Sequence, residues 1–202
     1  GYETYFNTLD LGFNITYFDI LVEDPIMGSN ITSFQDNVPG AENKSKGIEL
    51  ATNWTDNEKL NIGFNYTITK SYSGMDCDKP KKDAFGYTSC IDLNNGPIDS
   101  AMVRVPLHAI SSKVNYQINK DLNSSLLLTY KGRTRDYGGA GYSFRDQILD
   151  EYLLLDLVSS YKIGEGLKFN FSLKNVFDKN YEDALDYSGM PRTMNIGLKM
   201  KY

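Results

Sequence analysis

The chain of 202 residues holds one histidine, His108, and two cysteines, Cys77 and Cys90, so the side chains that most often do chemistry are scarce. A lone histidine can ligate haem or a metal, but a nucleophile–base pair or a metal centre needs partners at matching spacing. His108 follows Val105, Pro106 and Leu107 at the head of an alternating run and reads as structural. No Ser/His/Asp or Cys/His set can be built around it, so no catalytic residue is assigned and an enzyme is not the reading. Cys77 and Cys90 lack Cys-x-x-Cys spacing and sit in a stretch rich in Gly, Asp, Lys and Pro. A disulfide stapling one long exposed loop, formed in an oxidising compartment, fits them better than a metal or redox site. Asp76, Asp78, Asp92 and Asp99 share that stretch without EF-hand spacing and read as solvated charge; no metal site and no cofactor are expected.

What remains is recognition chemistry. Arg133, Arg135, Tyr137 and Tyr142 lie along a glycine-rich stretch that joins charge, flexibility and rigid aromatic area. Such a surface can close over a bulky polar ligand. Tyr187 and Arg192, with Tyr181 and Asp186 nearby, form a second cluster of the same character. Ordinary packing of Tyr-rich loops is the competing account of both.

The elements that position these residues are strands. Leu60, Ile62, Phe64, Tyr66 and Ile68 alternate with Asn61, Gly63, Asn65, Thr67 and Thr69. Leu167, Phe169, Phe171 and Leu173 alternate with Lys168, Asn170, Ser172 and Lys174, and Met194–Tyr202 repeats the pattern. Period-2 alternation of this kind predicts strands with one apolar and one polar face. Nine strands follow, with 31–54 taken as one long strand that Pro39 and Gly40 can split into two pieces. Short connections at 7–10, 55–58, 119–121 and 164–166 take turns with long ones at 23–29, 73–104, 135–150 and 179–191.

That rhythm predicts an all-β, antiparallel up-and-down transmembrane β-barrel with tight turns at one end and long loops at the other. Trp54, Tyr116, Tyr161 and Tyr202 gather near the short turns, and Tyr17, Tyr66 and Tyr130 toward the long loops, as two interfacial girdles. The polar faces carry Asn, Ser, Thr and Gly with scattered Lys, as a wet lumen does. Leu60, Ile62, Phe64, Leu167, Phe169 and Phe171 are expected to meet lipid, and Asn61, Asn65, Lys168 and Asn170 the lumen. The chain has no apolar run of about 18 residues, which excludes a membrane-spanning helix but not a barrel. Lys and Arg number 21 against 26 Asp and Glu, a net charge of −5, which argues against nucleic acid as a partner.

Asn175, Val176, Phe177, Asp178, Lys179 and Tyr181 resemble the Asn-Leu-Phe-Asp-Lys-x-Tyr signature near the C-terminus of TonB-dependent outer-membrane receptors. Ser45-Lys-Gly-Ile-Glu-Leu50, Val105-Pro-Leu-His108 and Leu153-Leu-Leu-Asp-Leu157 followed by Tyr161 are similar to three further motifs of that family. Val176 stands where the family more often has Leu, and Asp36–Ala41 replaces a smoother stretch. The resemblance implies that residues 1–202 are about nine C-terminal strands of a 22-stranded barrel in the bacterial outer membrane. It implies a fragment, since this sequence has no plug domain, N-terminal strands or TonB-contacting segment. It also implies partners: outer-membrane lipid, the TonB complex acting through that missing region, and the barrel-assembly machinery, which reads Tyr202 as an insertion signal. Tyr187-Ser-Gly-Met-Pro-Arg192 is similar to a stretch of cobalamin and siderophore receptors, so the implied cargo is cobalamin or a ferric siderophore, taken up with energy from TonB. A passive porin-type channel and a soluble β-rich binding domain are the rival readings.

Overall fold

A computed structural model of the chain describes residues 1–28, 35–37, 41–56, 59–75, 101–138 and 145–200. Nine strands form one antiparallel sheet in chain order: β1 (Tyr2–Phe6), β2 (Leu11–Glu23), β5 (Ala41–Asp56), β6 (Leu60–Met75), β7 (His108–Gln117), β8 (Leu122–Lys131), β11 (Tyr152–Ile163), β12 (Leu167–Lys174) and β15 (Thr193–Met200). Three two-stranded pieces decorate the long-loop end: β3 (Ile26–Gly28) with β4 (Gln35–Asn37), β9 (Thr134–Gly138) with β10 (Arg145–Leu149), and β13 (Glu182–Ala184) with β14 (Tyr187–Ser188). The expected single strand over 31–54 is therefore two pieces. Residues 35–37 pair back onto 26–28, and the long strand begins at Ala41, just after Pro39 and Gly40. Proline cannot donate to a ladder, and glycine weakens a strand interior.

Register carries one parity across the whole sheet. Ile15, Leu50, Tyr66, Ile110, Tyr130 and Leu153 are successive cross-strand partners, as are Leu157, Leu173 and Met194. One face is thus apolar from β1 to β15, and it includes Leu60, Ile62, Phe64, Leu167, Phe169 and Phe171. The opposite face collects Asn61, Asn65, Lys168 and Asn170, as the alternation predicts. Trp54, Tyr116 and Tyr161 belong to the apolar face near the short turns, and Tyr17, Tyr66 and Tyr130 to the same face toward the long loops.

The polar face satisfies itself with a ladder of side chains. Asn61 Nδ2 donates to Asn53 Oδ1 at 3.0 Å and to Thr55 Oγ1 at 3.1 Å. Asn115 Nδ2 donates to Asn61 Oδ1 at 3.3 Å, and Ser125 Oγ donates to Asn115 Oδ1 at 2.7 Å. Four adjacent strands are linked in this way.

Among the described residues the buried apolar side chains are Tyr72, Leu149, Tyr152 and Leu185, all at the long-loop end. Away from that end the described residues of the sheet form no core on either side; Leu198 on β15 is 68% exposed. An apolar face left open over nine strands is far larger than a water-soluble surface tolerates and suits contact with hydrocarbon. β5 and β6, at 16 residues each, exceed the roughly 9–11 a strand needs to cross a bilayer, so their outer ends stand above it. No described helix is long and apolar enough to cross a membrane, which says nothing against crossing by strands.

Two glycine-dependent details explain local sequence. Gly164 closes the turn between β11 and β12 at φ +67°, a left-handed conformation that glycine adopts without steric penalty. A Cβ on Gly47 would lie 2.6 Å from the Phe18 ring and 2.1 Å from the Ile68 carbonyl oxygen, so an aromatic ring covers the backbone of the Ser45-Lys-Gly47 motif.

Candidate functional site

The long-loop end concentrates the polar chemistry, and its centre is a buried carboxylate. Asp136 on β9 has no solvent exposure. Arg104 Nε donates to both of its carboxylate oxygens at 3.1 Å, and the Leu185 backbone N–H donates to Oδ2 at 2.7 Å. Arg104 sits at φ +63° and gives its own backbone N–H to the Arg135 carbonyl at 2.8 Å. One acidic side chain thereby joins three segments: 101–107, the β9–β10 hairpin and the β13–β14 loop. A buried charge is tolerated when paired and fully hydrogen-bonded, as this one is.

A second cluster faces the polar side of the sheet. Lys131 at the end of β8 and Tyr152 at the start of β11 are register partners. The Tyr152 hydroxyl donates to Asp183 Oδ1 in a short bond, and Lys131 Nζ lies 3.2 Å from the same oxygen. The bonded phenol, together with the lysine, holds the Asp183 carboxyl below the ordinary carboxylate range; partial burial opposes the shift. Tyr181 packs against Tyr152 with ring centroids 4.5 Å apart, and its other side lies on the Gly189 backbone, where a Cβ would sit 2.2 Å from the ring. Between this loop and β10 is a cavity of about 370 Å³ lined by Gln147, Leu149, Asp150, Tyr181 and Ser188 among others.

The signature residues build the turn that launches this loop. Asn175 is 3% exposed at φ +50°. Its backbone N–H donates to Asp156 Oδ1 at 2.8 Å, and its side chain donates to the Lys179 and Met190 carbonyls at 3.0 Å each. Asn175 Oδ1 accepts the Lys179 N–H at 2.9 Å. Asp178, at φ +53°, accepts the Arg192 backbone N–H at 2.9 Å, and its carboxylate lies 3.7 Å from the Arg192 guanidinium. Asparagine and aspartate tolerate the left-handed region and bond their own backbone neighbours, which is why these types recur there. Val176 donates its N–H to Leu155 O, while Phe177 is 63% exposed.

The other expected site residues are placed as follows. Arg133 is exposed with its guanidinium 3.9 Å from Asp150, and Arg135 is half-buried, donating from Nη1 to the Ala101 carbonyl at 3.2 Å. Tyr137 pairs with Asp146 in the β9–β10 ladder, and Tyr187 is 70% exposed. His108 accepts or donates at Nδ1 with the Tyr66 hydroxyl at 2.8 Å, their rings parallel within 7° on the apolar face. Cys77, Cys90, Asp76, Asp78, Asp92, Asp99, Tyr142 and Tyr202 lie outside the described residues. Among the described residues no three His, Cys, Asp or Glu side chains converge as a metal site. Lys131, Tyr152, Asp183, Arg104 and Leu185 were not singled out by sequence pattern, because each contributes through partners 31 or more positions away.

Comparison with known proteins gives a consistent picture. The family described as "TonB dependent receptor-like, beta-barrel" matches residues 1–176. No curated protein sequence matches the chain. Similar solved structures include the siderophore receptor PiuA from Acinetobacter baumannii, at 19% identity and TM-score 0.71 over 98% of this chain and 27% of that one. The ferric-catecholate import receptor Fiu from K12 E. coli aligns at 19% identity and TM-score 0.67 over 94% of this chain and 25% of that one. The pyoverdine outer membrane receptor FpvA from Pseudomonas aeruginosa PAO1 aligns at 17% identity and TM-score 0.68, over 95% and 27%. The chain therefore spans about a quarter of the length of each of these receptors.

Proposed function

This chain belongs to the TonB-dependent receptor β-barrel family of the outer membrane, and from that premise we propose that it serves energised uptake of a ferric siderophore. The observation that carries the reading is the cross-linked loop cap above a polar barrel wall. Asp136 joins segment 101–107, the β9–β10 hairpin and the β13–β14 loop, and Asp183 ties that loop to Lys131 and Tyr152 on the face that carries Asn61, Asn65 and Asn170. A loop end that combines tyrosines with paired charges suits a bulky, polar, multiply hydrogen-bonding cargo. The similar structures support iron over cobalamin, since by name they are siderophore and ferric-catecholate receptors. The energy source in this reading is the TonB complex, and the protein transports its cargo without transforming it.

The test is uptake of radioactive iron on a panel of siderophores, beside radioactive cobalamin, by cells that express the gene and cells that lack it. Iron uptake that depends on both the gene and TonB supports the reading. Cobalamin uptake alone would replace the cargo, and uptake indifferent to TonB would point to a passive channel.

A further inference from the structure

The polar face differs in charge from the chain that builds it. From β7 to β15 it carries Lys113, Lys131, Lys162, Lys168, Lys174 and Lys199 against one acid, Asp156, whose carboxylate accepts the Asn175 N–H. On β1, β2, β5 and β6 the charged strand residues of that face are Glu3 and Glu49. A chain of net charge −5 thus turns a cationic side to the lumen.

Lys162, Lys168 and Lys199 are successive cross-strand partners near the short turn between β11 and β12. Like charges placed directly opposite one another repel. Of the six lysines, only Lys131 has an ion pair among the described residues. An anion in the lumen relieves that repulsion, and a cleft lined by one sign of charge draws the opposite sign inward.

Lys131 stands at the loop end of this wall, and its partner arrives from a loop. Asp183 Oδ1 accepts the Tyr152 hydroxyl and lies 3.2 Å from Lys131 Nζ. The two donors are fixed by register on β8 and β11, and Tyr152 is buried against Tyr181. The acid is held less firmly. Its side chain is 62% exposed, so rotation of one side chain vacates the donors, and an ion pair so open to water is weak.

We propose that Lys131 and Tyr152 receive an anionic oxygen of the cargo, with Asp183 holding its place until it arrives, and that the cargo is a ferric complex of net negative charge. The proposal rests on the reading of the chain as an importer of a ferric siderophore, and narrows it. Phenolate or carboxylate ligands of iron supply such an oxygen. An uncharged trihydroxamate complex neither gains from the lysine wall nor displaces a carboxylate from it.

The experiment measures equilibrium binding by the full-length receptor in neutral detergent, with an anionic ferric tris-catecholate and an uncharged ferric trihydroxamate as probes. The parent should bind the catecholate about tenfold tighter, and high salt should shrink that margin. Asp183→Asn should tighten the catecholate about fivefold and leave the hydroxamate unchanged. Lys131→Gln should weaken the catecholate about tenfold and erase the gain from Asp183→Asn in the double variant. Heat-modifiable migration checks each barrel, and the salt dependence of the parent tests the charge preference without any variant. A catecholate affinity no better than that of the hydroxamate, a loss on Asp183→Asn, or a gain that survives Lys131→Gln would each overturn the assignment while leaving iron uptake standing. Binding of neither probe by the parent would remove the uptake reading and this assignment together.

Discussion

The carboxylate of Asp136 and the backbone N–H of Leu185 meet at 2.7 Å although 49 positions separate them in sequence. Asp136 also receives Arg104 from a segment 32 positions upstream, so a single buried side chain registers three outer segments against one another. The β13–β14 loop is held besides by the Tyr152–Asp183 bond and, at its base, by Asn175 and Asp178.

Replacing Asp136 by Ala should loosen the cap and spare the barrel. It leaves the Leu185 N–H buried without an acceptor, a loss of about 1–3 kcal/mol. Hydrogen exchange should quicken at 101–107, 134–138 and 182–188, with β2, β5 and β6 unchanged. Unaltered protection in those three segments would show that the node is not what holds them.

The two faces should respond differently to charge. Phe169→Arg places a cation on the lipid side of β12 and should cost about 2–4 kcal/mol near mid-membrane, while Asn170→Arg should be tolerated. Unfolding by denaturant in lipid vesicles measures both. Equal effects at the two neighbours would contradict the assignment of faces.

Asn175 combines a left-handed backbone with three side-chain bonds. Asn175→Gly keeps the conformation and loses the bonds, which at about 1 kcal/mol each predicts a clear loss of loop stability. Asn175→Ala loses the same bonds and adds about 1–2 kcal/mol of backbone strain. Limited proteolysis between 175 and 192 should therefore rank Ala above Gly above the parent chain in susceptibility.

The Asp183 contact predicts an acid-sensitive loop. Because the folded carboxyl titrates below its unfolded value of 3.8, the contact stabilises fully above that value and is lost as pH falls through the lowered one. Exchange at 182–188, corrected for the intrinsic pH dependence of amide exchange, should be flat from neutral pH to about 5 and rise only in stronger acid. Asp183→Asn should remove that pH dependence, and a rise already between pH 7 and 5 would assign the effect to another group.

Strand parity was legible because each strand needs only its own alternation, and Leu60–Ile68 or Leu167–Leu173 states that pattern locally. Asn175, Asp178 and Lys179 stood out only through their resemblance to a family signature, which marked the residues but not the turn they build. Asp136 was not legible: flanked by Arg135 and Tyr137 in a glycine-rich stretch, it has the sequence character of a solvated loop acid. Its burial is created by Leu185 and Arg104, which no local pattern connects to it. Lys131, Tyr152 and Asp183 were hidden for the same reason. The split of 31–54 was marked by Pro39 and Gly40, but the backward pairing of 35–37 onto 26–28 was not.

The amide ladder from Asn53 through Asn61 and Asn115 to Ser125 bears on motion rather than on stability. Each of these groups already has a partner at hydrogen-bond distance, so a polar solute gliding along that wall finds few idle donors to grip it. Tight adhesion would slow such a solute as surely as repulsion. A wall whose side chains hold one another offers low friction, and leaves capture to the loops above it.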